Sequence, residues 1–311
     1  MIYVKPIRQT YIATYSSFIL ERRYFNELLS TTLKDESYAT YDETATYSTG
    51  DYVIEPNTKR IYRSAKDANT DPLDNELSWV DYGAVNSFRM FDEIANTQSK
   101  FTTSAIVEIT ANWHDTISFL NLKGVTSIQV VQTDLDTGDV VYDATYALKD
   151  YGVQSLYEYW YNPIKLQTDL YIDNLKFVKN GKLVITFTSD TDGYIGAVVT
   201  GMKQDLGITL YGTSVKVKDY SQYKEDEYGN MSFVRRPFAR TISAKAVIDN
   251  TMADYIFGNV AELRGEINLF VGDDRDKGFT SLTTLGYIKD FEIPFDNPIK
   301  SELPITIIGV A

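Results

Sequence analysis

The segment W-V-D-Y-G-A-V-N-S-F-R-M-F-D, Trp79 to Asp92, is the stretch around which the chain is organised. It gathers Trp79, Tyr82, Phe88, Met90 and Phe91 around a single glycine, Gly83. Large aromatic surface beside a turn serves either as a ligand platform or as the seam where two sheets meet. The seam reading is favoured, because packing is the commoner fate of large apolar side chains. Asn86, Arg89 and Asp92 then read as residues that satisfy backbone groups where a strand begins, with a polar binding site as the alternative.

Working outward, residues 37–83 hold three short strand candidates broken by G-D, P-N and D-P turns. On the other side, 84–217 alternates apolar and polar residues, first in F-T-T-S-A-I-V-E-I-T-A from Phe101 to Ala111. Further strand candidates recur about every ten residues between polar turns, which predicts a jelly-roll-like β-sandwich. Gly138 in L-D-T-G-D marks a hairpin, and Asp190-Thr191-Asp192-Gly193 reads as a similar turn. Residues 218–236 are polar and charged, a long loop or arm suited to contacting a neighbouring copy. The remainder, to 311, predicts an α+β unit: a helix from Thr251 to about Leu263 with Met252, Tyr255, Ile256, Val260 and Leu263 as its apolar stripe. Asn250 is the candidate cap of that helix, a turn falls at Asp273 to Gly278, and the final apolar strand buries itself in a sheet. The first 36 residues read as an extended arm followed by a short helix through F-I-L-E-R-R-Y-F-N-E-L-L. The expected class is mainly β, in four parts: 1–36, 37–83, 84–217 and 218–311.

Composition narrows the function classes. Twenty-four tyrosines among 311 residues suit a largely β protein. A net charge of −13 argues against a nucleic-acid groove, which needs a local cationic surplus. The absence of cysteine removes disulfides, thiolate metal sites and a cysteine nucleophile, so stability must come from cores or from assembly. No segment approaches the roughly 18 apolar residues of a membrane helix. The beginning, M-I-Y-V-K-P-I-R, lacks a signal-peptide apolar region, so synthesis in a cytoplasm is expected.

Two resemblances add to this reading. Gly50, Asp51, Val53, Tyr62, Ala65, Pro72, Trp79 and Gly83 match the pattern of the small chitin-binding modules appended to bacterial chitinases. That resemblance implies a tiny three-stranded sheet and places Tyr62 and Trp79 in its core; a second exposed tryptophan, which the family's binding surface uses, is missing. Glycan stacking, if the module retains it, falls to Tyr62, Trp79 and Tyr82. The run N-S-F-R-M-F-D after W-x-x-x-G, with D-L-G-I-T-L-Y-G-T (Asp205 to Thr213) and D-Y-S (Asp219 to Ser221), resembles tailed-bacteriophage virion proteins of the carbohydrate-binding-like type. This implies a structural part of a virion, made in the host cytoplasm, at the neck, collar or tail. Such a part assembles with copies of itself and other virion proteins, tail fibres included. A glycan-binding adhesion protein is the alternative that the same resemblances imply.

Catalytic chemistry finds little support. His114, the only histidine, adjoins Asp115, but neighbouring residues on a strand face opposite sides, so a dyad is geometrically poor. Asp134, Asp136 and Asp139 lack the spacing and terminal glutamate of a calcium loop. A glycoside hydrolase, the third reading, needs a cleft with two carboxylates. No P-loop, nucleophile elbow or dinucleotide fingerprint occurs. The expectation is a non-enzyme without metal or cofactor, acting by burial and interlocking.

Overall fold

The computed structural model describes residues 2–4, 10–14, 19–23, 28–92, 94, 96–150, 155–161, 165–225, 227–263, 265–273, 279–295 and 297–310, the first three segments as backbone only. It is mainly β, with several sheets and a small helical element near residues 250–261.

The alternation after Phe101 builds the strand Ser99–Thr110, which buries Phe101, Ala105, Val107 and Ile109. It lies in a five-stranded antiparallel sheet ordered Val140–Ala147, Lys123–Asp134, Gly181–Ile195, Ser99–Thr110, Leu28–Thr31. Facing it is a three-stranded sheet of Leu170–Ile172, Thr116–Leu120 and Ala197–Gly201. The chain passes back and forth between the two sheets, which is the exchange that makes a sandwich jelly-roll-like. Phe119 and Phe187 meet edge to face at 5.6 Å in its core, among Ile117, Ile128, Leu183 and Ile185.

One predicted turn is an irregularity instead. Asp190 to Gly193 does not end a strand; Gly181–Ile195 runs through it as a single element, with its register against Ser99–Thr110 shifting between Thr188 and Asp192. A bulge here lets Phe101 pack over Gly193, where an added Cβ would lie 2.3 Å from the ring. The Asp136 to Asp139 hairpin stands as expected, with Gly138 at φ +79° and its N–H donating to the Asp134 carbonyl.

The three-stranded sheet is buried at every position of Thr116–Leu120 and of Ala197–Gly201. Strand alternation explains this: Ile117, Phe119 and Val198 enter the sandwich core, whereas Leu120, Ala197 and Val199 pack against Leu269, Val271 and Leu285. Those last three belong to a second large sheet, so this sheet is the middle layer of three.

The second sheet runs Lys203–Asp205, Ile2–Val4, Asn268–Val271, Thr283–Phe291, Lys300–Gly309, Phe238–Asp249, Ile208–Thr209, with Ser214–Asp219 also paired to Phe238–Asp249. The expected boundary at 217 therefore moves. The sandwich ends at Gly201, and residues 203–219 belong to the C-terminal sheet. The apolar final strand lies in the interior of this sheet, between Thr283–Phe291 and Phe238–Asp249.

Its helix is Ala253–Glu262, after a short 3-10 turn at Asn250–Met252. Ala253, Ile256, Val260 and Leu263 are the buried stripe, while Met252 and Tyr255 face solvent. Asn250 is not the cap. Its amide donates to the Asn297 carbonyl at 2.7 Å and its oxygen accepts from Ser301, tying the end of Phe238–Asp249 to the entry of Lys300–Gly309. The predicted turn at Asp273 to Gly278 lies, after its first residue, outside the described residues.

Asp169, 7% exposed, joins sandwich to sheet by a 2.8 Å ion pair with Arg240, and also accepts the Asn121 N–H. Asp169→Ala leaves Arg240, among the described residues, with the Thr283 carbonyl, and is expected to cost about 2 kcal/mol, less than a fully buried pair because Arg240 keeps some solvent. Urea unfolding of the variant beside the parent checks it; a change within experimental error would show that the pair holds nothing.

Over its described residues, the predicted N-terminal helix is replaced by strands. Ile19–Arg23 is a strand in a hairpin with Thr10–Thr14, and Leu28–Thr31 is the edge strand of the sandwich. A helix of this length is marginal without tertiary support, whereas Ser99–Thr110 offers Leu28–Thr31 a ready sheet edge. Ile2–Val4 pairs in the C-terminal sheet and Leu28–Thr31 in the sandwich, so these two N-terminal strands serve both large units.

Residues 32–98 leave the sandwich at Leu28–Thr31 and return in its neighbour Ser99–Thr110, so the small module is an insertion between adjacent strands. Its antiparallel strands Tyr52–Glu55, Arg60–Ser64 and Trp79–Ala84 match the expected three, and the two-residue Ala39–Thr40 adds a parallel fourth.

Candidate binding surfaces

The Trp79 to Asp92 stretch is the seam between module and sandwich. The Asn86 side-chain amide donates to the carbonyls of Lys34 and Lys100 at 3.0 and 2.8 Å, and its oxygen accepts the Lys100 N–H at 2.7 Å. Glu36 accepts the Asn86 N–H and pairs with Arg89, while Asp35 accepts the Ser87 N–H. Asp92 accepts the Ile94 N–H and the Thr97 hydroxyl, and its burial raises its pKa. Met90 is sealed in the sandwich core. Asn86, Arg89 and Asp92 thus each serve backbone groups where one unit hands over to the next, Arg89 through the Ala84 carbonyl.

Within the module, the three residues singled out for glycan stacking have separate fates. Trp79 is 2% exposed. Tyr41 and Tyr47 meet its ring edge-on at 5.8 and 5.2 Å, and its indole N–H donates to the Asp71 carbonyl. It therefore offers no face to a sugar; the aromatic core of a unit this small consumes it. Tyr62 is half-buried, in register between Val53 and Asp81. Tyr82 is exposed. A register shift between Ile61 and Tyr62, with Gly83 at φ +113°, sets it on the outer side of the sheet.

The residues that join Tyr82 there were not foreseen. Tyr52 stacks on Tyr38 with centroids 4.9 Å apart and meets Tyr82 edge-on at 5.2 Å, and Arg63 lies 5.9 Å over the Tyr52 ring. Register places Tyr52, Arg63 and Val80 in one cross-strand row. The outer face of the module is therefore an aromatic strip with a guanidinium beside it. The period-two offset of Tyr52 from Ile54 and of Val80 from Tyr82 was the available signal.

A second surface is the helix Leu156–Tyr161, opened by a capping box in which Ser155 and Glu158 exchange side-chain-to-backbone hydrogen bonds. Leu156, Tyr157, Trp160 and Tyr161 are all exposed, and Tyr157 packs on Tyr161 at 4.7 Å. The S-x-x-E pattern was readable in advance.

The third and longest is the stretch expected as a loop or arm. Ser214–Asp219 pairs with Phe238 to Ser243, and beyond it Gln222–Glu225 pairs with Met231–Val234, so the arm is a two-stranded ribbon. Both of its strand pairs lie open to solvent along Ser214–Asp219, Gln222–Glu225 and Met231–Val234.

Catalytic constellations do not assemble around the residues considered. His114 is buried at the turn between Ser99–Thr110 and Thr116–Leu120, and neither ring nitrogen has a hydrogen-bond partner among the described residues. Burial lowers its pKa from 6.5 to about 4. Asp115 instead accepts the Lys203 N–H at 2.9 Å. Among the described residues no group of three or more His, Asp or Glu is placed to hold a metal ion, and no helix is long and apolar enough to cross a membrane. A cavity of about 440 Å³ is lined by Lys245, Lys300, Ser301 and Glu302, among others, and Glu302 is its one carboxylate among the described residues.

Comparison with protein-family models, with curated proteins and with solved structures finds no match to this chain.

Proposed function

We propose that the chain is a structural component of a tailed-phage virion, in the neck, collar or tail region, that works by assembling with copies of itself and holding fibres or other tail parts. The observation that carries this reading is the solvent-exposed ribbon from Ser214 to Phe238, with Val217, Tyr223, Met231 and Phe233 open to water. Contiguous apolar surface on a projecting element marks a place that a partner covers. The local resemblance of Asn86 to Asp92 and Asp205 to Thr213 to virion proteins supplies the setting. Mass spectrometry of purified particles of the encoding phage, with immunogold labelling, tests it: the chain should be present and the label should fall on the neck or tail. Its absence from particles overturns the proposal.

A glycan-binding adhesion protein is the second reading, and the Tyr38, Tyr52 and Tyr82 strip with Arg63 favours it. Sugar C–H faces stack on such rings. On a glycan array, binding that Tyr52→Ala and Tyr82→Ala each weaken tenfold or more would establish this reading; an array blank for the parent chain would end it.

A further inference from the structure

We infer that the ribbon Ser214 to Phe238 is a two-fold clasp, pairing antiparallel with the same ribbon of a second copy of this chain. The inference deepens the assembly reading above and rests on it for its biological setting.

The ribbon is amphipathic in a way its own chain leaves unused. Val215 and Val217 stand at alternate positions of Ser214–Asp219, and Tyr223 lies in the next strand, Gln222–Glu225. Register sets Phe233 opposite Tyr223, Met231 opposite Glu225 and Phe238 opposite Asp219. All six apolar side chains are exposed. The intervening positions carry Lys216, Lys218 and Lys224. A two-stranded hairpin is marginal in water by itself and gains stability when its apolar face is packed.

Charge decides what packs it. The root of the ribbon carries Arg235 and Arg236, flanked by Lys216 and Lys218, against Asp219; the tip carries Glu225 and Glu227 against Lys224. Two ribbons laid face to face and antiparallel set each acidic tip on the basic root of the other, and the apolar faces close between them. Parallel packing instead opposes like charges. A surface that complements itself under a two-fold rotation is what an isologous dimer requires.

The test is sedimentation velocity of the full chain from about 1 to about 100 µM, the range expected of a small interface. The parent should form a concentration-dependent dimer. Tyr223→Ser with Phe233→Ser, which removes an exposed cross-strand ring pair outside the buried cores, should weaken it at least tenfold. Arg235→Glu with Arg236→Glu, and separately Glu225→Lys with Glu227→Lys, should each be monomeric alone. Mixed one to one, they should form a heterodimer, because each supplies the charge the other lost. A parent that stays monomeric throughout overturns the clasp and leaves the ribbon to a different protein. Association indifferent to these variants, or no heterodimer on mixing, overturns it equally. A monomer that is nevertheless found in particles overturns the clasp alone, and a dimer absent from particles overturns the virion reading alone.

Discussion

Trp79→Ala is expected to destabilise the small module by about 3–5 kcal/mol, the usual loss for deleting a buried tryptophan. The indole is the largest side chain in that core. It packs edge-on against the stacked pair Tyr41 and Tyr47 and supplies the N–H that the Asp71 carbonyl accepts at 2.9 Å. Around it the scaffold is thin: Val53, Ile61 and Ala84 complete the apolar interior, and Asn69 bridges Ser64 and the Ser78 carbonyl. A unit this small has little stability to spare. The variant should therefore be cut by protease between residues 37 and 83 while the sandwich and C-terminal sheet resist. Trp79→Phe should keep most of the packing and lose mainly the hydrogen bond, about 1 kcal/mol. Tyr82→Ala, on the outside, should be neutral within about 0.5 kcal/mol. If Trp79→Ala left proteolysis unchanged, the aromatic core would not be what holds the module. If it unfolded the whole chain, the seam through Asn86 and the Arg89–Glu36 pair would be transmitting the loss to the sandwich.

The contrast between Trp79 and Tyr82 also shows how far the sequence could be read. Alternation from Phe101 to Ala111 and the G-D, P-N and T-G-D turns identified the sandwich and the module, because period-two burial leaves a direct trace in residue order. The polar residues of the seam were legible for the same reason: their types suit backbone capping, and Asn86 alone satisfies three backbone groups. What failed was decided by partners distant in sequence. Nothing in F-I-L-E-R-R-Y-F-N-E-L-L announces that Leu28 will pair with Ile109. Residues 203–219 look like more of the same β run, yet they join a sheet whose other strands include Ile2–Val4 and the final strand. The stripe of the C-terminal helix was right at Ile256, Val260 and Leu263, but the rotation that exposes Met252 and Tyr255 depends on the sheet beneath. For the candidate surfaces the difficulty was of another kind. Tyr38, Tyr52 and Tyr82 are separated by 44 residues of sequence, and only the cross-strand register brings their rings together.

Acid should destabilise the parent chain by about 3 kcal/mol more than a His114→Phe variant between pH 6.5 and pH 4. His114 is 2% exposed, and its buried ring cannot take up a proton until about pH 4, whereas in the unfolded chain it does so near 6.5. The folded pKa lies below the unfolded one, so the unfolded state binds the extra proton. The associated stability is full above pH 6.5, is lost as pH falls through the window, and changes no further below about 4. Carboxylates titrate in the lower part of the same range, and the variant carries all of them, so the difference between the two curves isolates the histidine. At pH 7 the phenyl ring should be neutral to stabilising by about 1–2 kcal/mol, because it replaces two ring nitrogens that have no hydrogen-bond partner among the described residues with apolar surface. Trp113 is the local constraint on this outcome: it sits at φ +61° with its N–H given to the Val178 carbonyl, which fixes the turn that drives His114 inward. As the chain has one histidine, its C–H proton resonances report the native titration directly and should stay unshifted from pH 7 to pH 5. A native midpoint near 6.5, or unfolding curves that run parallel for parent and variant, would mean that the ring reaches water and that its burial carries no such linkage.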